Sequence, residues 1–126
     1  MRRPSGRKGT APTPVRHVTY CLNVHPGETW AENLDAISHH AVPIRRALAP
    51  GRPFGLGLRV SNAASIELSR RPARESFRRL LARHDLYAFT INGFPFGRFH
   101  GQAVKERVYR PDWRSARRRL YTIRLA

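Results

Sequence analysis

Residues 86–113 read LYAFTINGFPFGRFHGQAVKERVYRPDW, and the fold is decided where this stretch changes character. Leu86, Tyr87, Ala88, Phe89, Thr90 and Ile91 are apolar, aromatic or β-branched almost without a break, the composition of a strand covered on both faces. Asn92-Gly93 stops the run. The loop beyond carries Phe94, Pro95, Phe96, Gly97, Arg98, Phe99, His100, Gly101, Gln102, Lys105 and Tyr109, more aromatic than a connector needs. Long loops after buried strands commonly carry function.

Two earlier runs share this design: HVTYCLNV from His17 to Val24 and FGLGLRV from Phe54 to Val60. Between them Trp30, Leu34, Ile37, Ala41, Ile44 and Leu48 recur at helical spacing, and Thr29 with Glu32 forms a capping box at the start. Pro43 inside this pattern predicts a kink or a split near His40, because proline lacks a ladder donor. Ala63 to Leu68 and Ala73 to His84 read as two further helices broken at Arg70-Arg71-Pro72, the second burying Phe77, Leu80, Leu81 and His84. A last helix with Trp113, Ala116, Leu120 and Ile123 as its buried stripe starts after Asp112, its predicted N-cap. Three strands about thirty residues apart with helices between them predict right-handed crossovers and a parallel α/β sheet.

Parallel strands point their carboxyl ends the same way, so the polar residues at those ends are the candidate site. They are Asn23, His25, Arg59, Asn92, His100 and Lys105. An imidazole at His25 or His100 suits a base, proton shuttle or ligand, and Lys105 suits an anion or enolate. We assign His100 and Lys105 to catalysis. Asn23, His25, Arg59 and Asn92 are assigned to substrate binding, with Arg59 as a clamp for phosphate or carboxylate and Asn92 as a partner for a hydroxyl. Arg59 is expected outside the core, so that its loss should change stability by less than about 1 kcal/mol. Each of these residues also has an alternative as a hydrogen-bonded loop residue.

The remaining titratable residues have quieter expectations. His17 lies at the amino-terminal side of the sheet, His39-His40 divide between solvent and the kink, and His84 sits at a helix carboxyl end where a positive ring suits the dipole. Glu28 follows the first strand and could reach the mouth, yet its place just before Thr29 favours stabilising the first helical turn. Cys21 is the sole cysteine, excludes an intrachain disulfide, and reads as a small buried hydrophobe.

Charge suggests a competing function. Twenty-four Lys and Arg face eight Asp and Glu, a formal +16, which points to a polyanion. Yet no RNP, zinc-finger or basic-zipper pattern is present, which argues against nucleic acid. Residues 1–16, rich in Pro, Gly, Ser and Thr, are expected to be a disordered basic tail. Six more arginines lie between Arg110 and Arg124, where a charge run is ordinarily a solvated face. No secretory apolar region and no apolar run of roughly 18 residues is found, which makes the cytoplasm the default location.

YCLNVHPGETW (Tyr20 to Trp30), PFGLGLRVS (Pro53 to Ser61) and FTINGFPFGRFHGQAVKERVYRPDW (Phe89 to Trp113) together resemble the amino-terminal part of the EboE-type metabolite-traffic proteins of the xylose-isomerase-like TIM-barrel superfamily. The resemblance implies that residues 17–126 are the first three βα units of a (β/α)8 barrel, binding a small polar metabolite at the carboxyl ends of the strands. It also implies partner proteins of the same pathway, and a sugar-isomerase-like activity with a divalent metal in the full-length protein. The metal carboxylates would come from strands beyond the third, so no metal ligand is assigned in this chain. A full barrel needs about 250 residues. A chain of 126 is therefore expected to be truncated, with one sheet face uncovered and Tyr20, Leu58 or Phe89 exposed. The alternative to a metabolite site is a non-catalytic basic module that binds nucleic acid or an anionic membrane surface.

Overall fold

The computed structural model describes residues 17–98, 100 and 107–126; the expected basic tail lies outside them. Strands β1 (Thr19–Cys21), β2 (Phe54–Arg59) and β3 (Leu86–Asn92) form one parallel sheet in the order β1-β2-β3. This is the mixed α/β architecture expected from the spacing of the runs. β1 is shorter than expected, because Leu22–Val24 coil into a 3-10 turn that buries Leu22 and returns the His25 N–H to the Leu22 carbonyl.

β2 is central and buried along its whole length. Phe54, Leu56 and Leu58 alternate into the core with Trp30, Ile37, Ala41, Ala64 and Phe77 from the helices. Leu58, expected to be exposed, is only 1% accessible. The opposite face carries Gly55 and Gly57, and the neighbouring strands lean over them. A Cβ on Gly55 would sit 2.7 Å from Thr19 Cγ2 and 3.1 Å from the Tyr87 hydroxyl. On this second face Cys21 is exposed rather than buried, because the helices of the core pack against the other side. Phe89 is an extra residue where the β2–β3 register slips between Leu56 and Gly57; it is 50% exposed and stacks on His17 at 5.2 Å.

The first crossover runs through α1 (Trp30–Ala36), a π turn (Ile37–Ala41) and α2 (Val42–Leu48). Thr29 and Glu32 make the capping box in both directions. Pro43 does not break the helix. The Val42 N–H reaches back five residues to the Ile37 carbonyl, so the turn widens before the proline and leaves Pro43 in the first turn of α2, where no donor is needed. Trp30 meets Phe77 edge to face at 4.9 Å across the core.

The second crossover is α3 (Asn62–Leu68), capped by the Ser61 hydroxyl on the Ala64 N–H, and α4 (Arg71–Arg83). The break falls at Ser69-Arg70, earlier than expected, since Pro72 is accommodated in the first turn of α4 and the extended backbone lies at Arg70. Asp85, at φ 49°, turns the chain into β3, and its carboxylate takes a 2.6 Å bond from Arg45 on α2.

The last helix, α5 (Ala116–Leu125), departs most from expectation. Ser115, not Asp112, is its N-cap residue; Asp112 accepts from the Arg114 N–H and guanidinium instead. Trp113, Leu120 and Ile123 are exposed, and Tyr121 is the buried residue. The reason is polar anchoring. The Tyr121 hydroxyl donates to the Val60 carbonyl at the end of β2, while Arg124 donates to Ser65 Oγ at 3.0 Å and to Asn62 Oδ1 on α3. Phe96 meets the Tyr121 ring edge-on and the Arg118 guanidinium lies over it, so hydrogen bonds and ring contacts outweigh the aliphatic stripe. Replacing Tyr121 by Phe keeps the ring and orphans the buried Val60 carbonyl. A loss of about 1–3 kcal/mol is expected in urea unfolding; an unchanged midpoint would show that α5 is held by the ring alone.

Candidate functional site

The loops after all three strands meet above the carboxyl end of the sheet, and Arg59 joins them. It ends β2 and is 3% accessible. Its guanidinium donates to the Gly27 carbonyl at 3.2 Å in the loop after β1, and to the Pro95 and Gly97 carbonyls at 3.5 and 2.7 Å in the loop after β3. The expected surface clamp is therefore a buried tie. Arg59→Ala would orphan these carbonyls, so the expected cost below 1 kcal/mol is corrected to about 2–4 kcal/mol. Two further bonds close the same junction: Ser61 Oγ to the Glu28 carbonyl, and the Asn62 N–H to the Phe96 carbonyl at 2.9 Å.

Beside this tie lies a small pocket of about 50 Å³ lined by Gly27, Glu28, Glu32, Arg59, Arg98 and His100. Glu32 does the capping. Its carboxylate accepts the Glu28 and Thr29 N–H groups at 2.7 and 2.9 Å, and these bonds hold its pKa below the usual range. Glu28 was expected to support the helix start, yet its side chain turns away toward Arg59, 3.9 Å off. Glu28 Oε2 is buried without a hydrogen-bond partner, as are Arg59 Nε and Asn23 Oδ1. Burial raises the Glu28 pKa, with Arg59 and Arg98 pulling the other way.

A second cluster adjoins the first. His25 Nε2 is hydrogen-bonded to the Tyr20 hydroxyl at 2.7 Å, and its ring stacks on His40 at 4.0 Å and 9°. Burial lowers the His25 pKa, and the nearby His40 and His100 lower it further. His40 arrives through the π turn, which the sequence signalled only as a proline problem.

The other candidate residues divide by position. Asn92 Oδ1 accepts the Phe94 N–H at 3.1 Å and its carbonyl accepts the Val60 N–H, so Asn92 shapes the turn out of β3. Lys105 lies outside the described residues. His17 and Phe54 line a different cavity, of about 580 Å³, with Leu48, Arg52 and Tyr87 at the amino-terminal end of the strands. The structure thus brings Asn23, His25, Arg59, Asn92 and His100 to the loops at one end, and adds Glu28, His40 and Arg98. The sign for Glu28 was present in the sequence, since the capping box already assigns the helix start to Glu32.

Among the described residues no group of three His, Cys, Asp or Glu side chains is placed to hold a metal ion. No helix among them is long and apolar enough to cross a membrane. Comparison with protein-family models, with curated proteins and with solved structures gives no match for this chain.

The His25 environment predicts a pH dependence. Its folded pKa lies below the ordinary 6.5, so on acidification the unfolded chain takes up the proton first. Stability from this group is complete above the ordinary value and falls as pH drops through it toward the folded value. Thermal melts at about pH 7.5 and about pH 5.5 are expected to differ less for His25→Asn than for the parent; equal differences would contradict the assignment.

Proposed function

We propose that the chain binds a small, hydroxyl-bearing polar metabolite at the carboxyl ends of the strands, as the first three βα units of a xylose-isomerase-like barrel of the EboE metabolite-traffic type. The observation that carries this is the unpartnered Glu28 oxygen beside the pocket. A buried acceptor with no donor costs about 1–3 kcal/mol, and a ligand hydroxyl donating to it would recover that cost. Arg98 and His100 line the same pocket, and all three strands aim their ends toward it.

The roles follow from the geometry. Glu28, with its pKa raised by burial, holds or accepts a proton at the ligand hydroxyl closer to neutral pH than an exposed carboxylate does. Arg98 stabilises negative charge, and Arg59 positions the pocket walls without offering its terminal nitrogens, which are already bound to carbonyls. A resident divalent cation does not fit these residues. Glu28 is the carboxylate that faces into the junction, and two guanidinium groups, Arg59 and Arg98, act on it there. No step in this proposal passes through a metal.

Backbone NMR titration with xylitol, as a neutral polyol, and with glycolate, as a hydroxy acid, tests the reading. Shifts are expected at Gly27, Glu28, Arg98 and His100 for at least one of them, with little sensitivity to salt. Glu28→Ala should weaken that binding about tenfold or more, the loss of one good hydrogen bond to a charged group; because it also removes the charge opposite buried Arg59, it should lower the melting temperature, so binding is read well below the variant's own midpoint. Shifts at the His17–Arg52 end, or binding unchanged in the variant, would remove the site from this mouth.

A further inference from the structure

Helix α5 is turned inside out relative to its sequence pattern. Its inward side is fixed by Tyr121 and Leu125 with Arg118 and Arg124. Its outward side presents Leu120 at 56% and Ile123 at 69% exposure; Trp113, 63% exposed just ahead of the helix, lies under the Arg118 guanidinium at 5.2 Å. At 100° per residue Ala116, Leu120 and Ile123 form one strip, and Arg117 and Arg119 fall on its two sides. Arg114 stands next to Trp113, and Tyr109 adds a second exposed aromatic.

Charge decides the partner. Residues 107–126 contain Arg107, Arg110, Arg114, Arg117, Arg118, Arg119 and Arg124 against a single acidic residue, Asp112, which Arg114 already neutralises. An aliphatic strip with arginines along both margins matches the headgroup boundary of an anionic bilayer, where each layer of the membrane takes its own part of the surface. Nucleic acid would use the arginines and leave Leu120 and Ile123 facing water. A second copy docked face to face would set Arg117 and Arg119 against their own kind. We propose that the outward face of α5 seats on an anionic phospholipid surface. The seat is distinct from the metabolite mouth and does not depend on it.

The test uses the full chain with vesicles of phosphatidylcholine alone and with about one-third phosphatidylserine. Trp30 is buried and Trp113 exposed, so a blue shift of emission on vesicle addition reports Trp113. Co-sedimentation and a blue shift are expected with the anionic vesicles, with binding about tenfold weaker to phosphatidylcholine alone. The double variant Leu120→Ser, Ile123→Ser keeps every charge; it should bind the anionic vesicles about tenfold less tightly while its circular dichroism and melting temperature stay those of the parent. Three results would overturn the proposal. Equal binding by the double variant would reduce it to diffuse attraction of a +16 chain. An unshifted Trp113 emission would place the contact elsewhere. Self-association without vesicles that the double variant abolishes would assign the face to a second copy. If the double variant melts early, the single variant Ile123→Ser, at the more exposed position and again without change of charge, replaces it, with weaker vesicle binding the expected result and unchanged binding overturning the proposal.

Discussion

The hydrogen bonds of Arg59 are the constraint on which the carboxyl end of this sheet depends. Parallel strands need long crossovers, so each strand end opens into a loop with main-chain carbonyls that no sheet ladder satisfies. A guanidinium with several donors in one plane can serve carbonyls from two such loops at once, which a lysine on the same backbone could not do. Its burial carries a desolvation cost, and neutral carbonyls offset only part of it. Glu28, 3.9 Å away, supplies the opposite charge that makes the arrangement tolerable. The site therefore arises from the tie: the counter-ion needed by a structural arginine is also the oxygen left without a donor.

How much of this was readable depends on whether the deciding contact is local. The three strands, the Thr29–Glu32 capping box and the Phe77 face of α4 follow from patterns within a few residues, and the structure has them. Cys21 shows the limit. A strand run that reads as covered on both faces does not say which face the helices take, and Cys21 falls on the open one. Pro43 shows another limit. The proline was a true signal of irregularity, but a π turn absorbs it and rotates His40 onto His25, a contact between residues 15 positions apart that periodicity cannot register.

The candidate residues separate on the same principle. Asn92 and Arg59 end their strands and are consumed by the backbone around them, because carbonyls and N–H groups at strand ends are the nearest unsatisfied partners. Glu28 escapes that fate for a reason visible in the chain. Two glutamates stand within reach of one helix start, the capping box places the second on both free N–H groups, and the first is left with its carboxylate unspent. His25, expected near the mouth, is held below the ordinary imidazole pKa by burial first and then by the nearby His40 and His100.

Two surfaces lack cover among the described residues, and their chemistry is not the same. The open sheet face is low in relief: Gly55 and Gly57 lie under Thr19, Cys21, Tyr87 and Thr90, with backbone and small polar groups close to the surface. Such a face suits a layer of side chains from further strands, as the proposed barrel would supply. The outward side of α5 offers bulky aliphatic groups between arginines, a poor match for a strand interior, where a guanidinium would need a buried partner. Tyr121 fixes that orientation. Because its hydroxyl donates to the buried Val60 carbonyl, α5 cannot roll to bury Leu120 and Ile123 without breaking this bond and those of Arg118 and Arg124 that dock it. The exposure of the strip is thus enforced by the core rather than left over from poor packing.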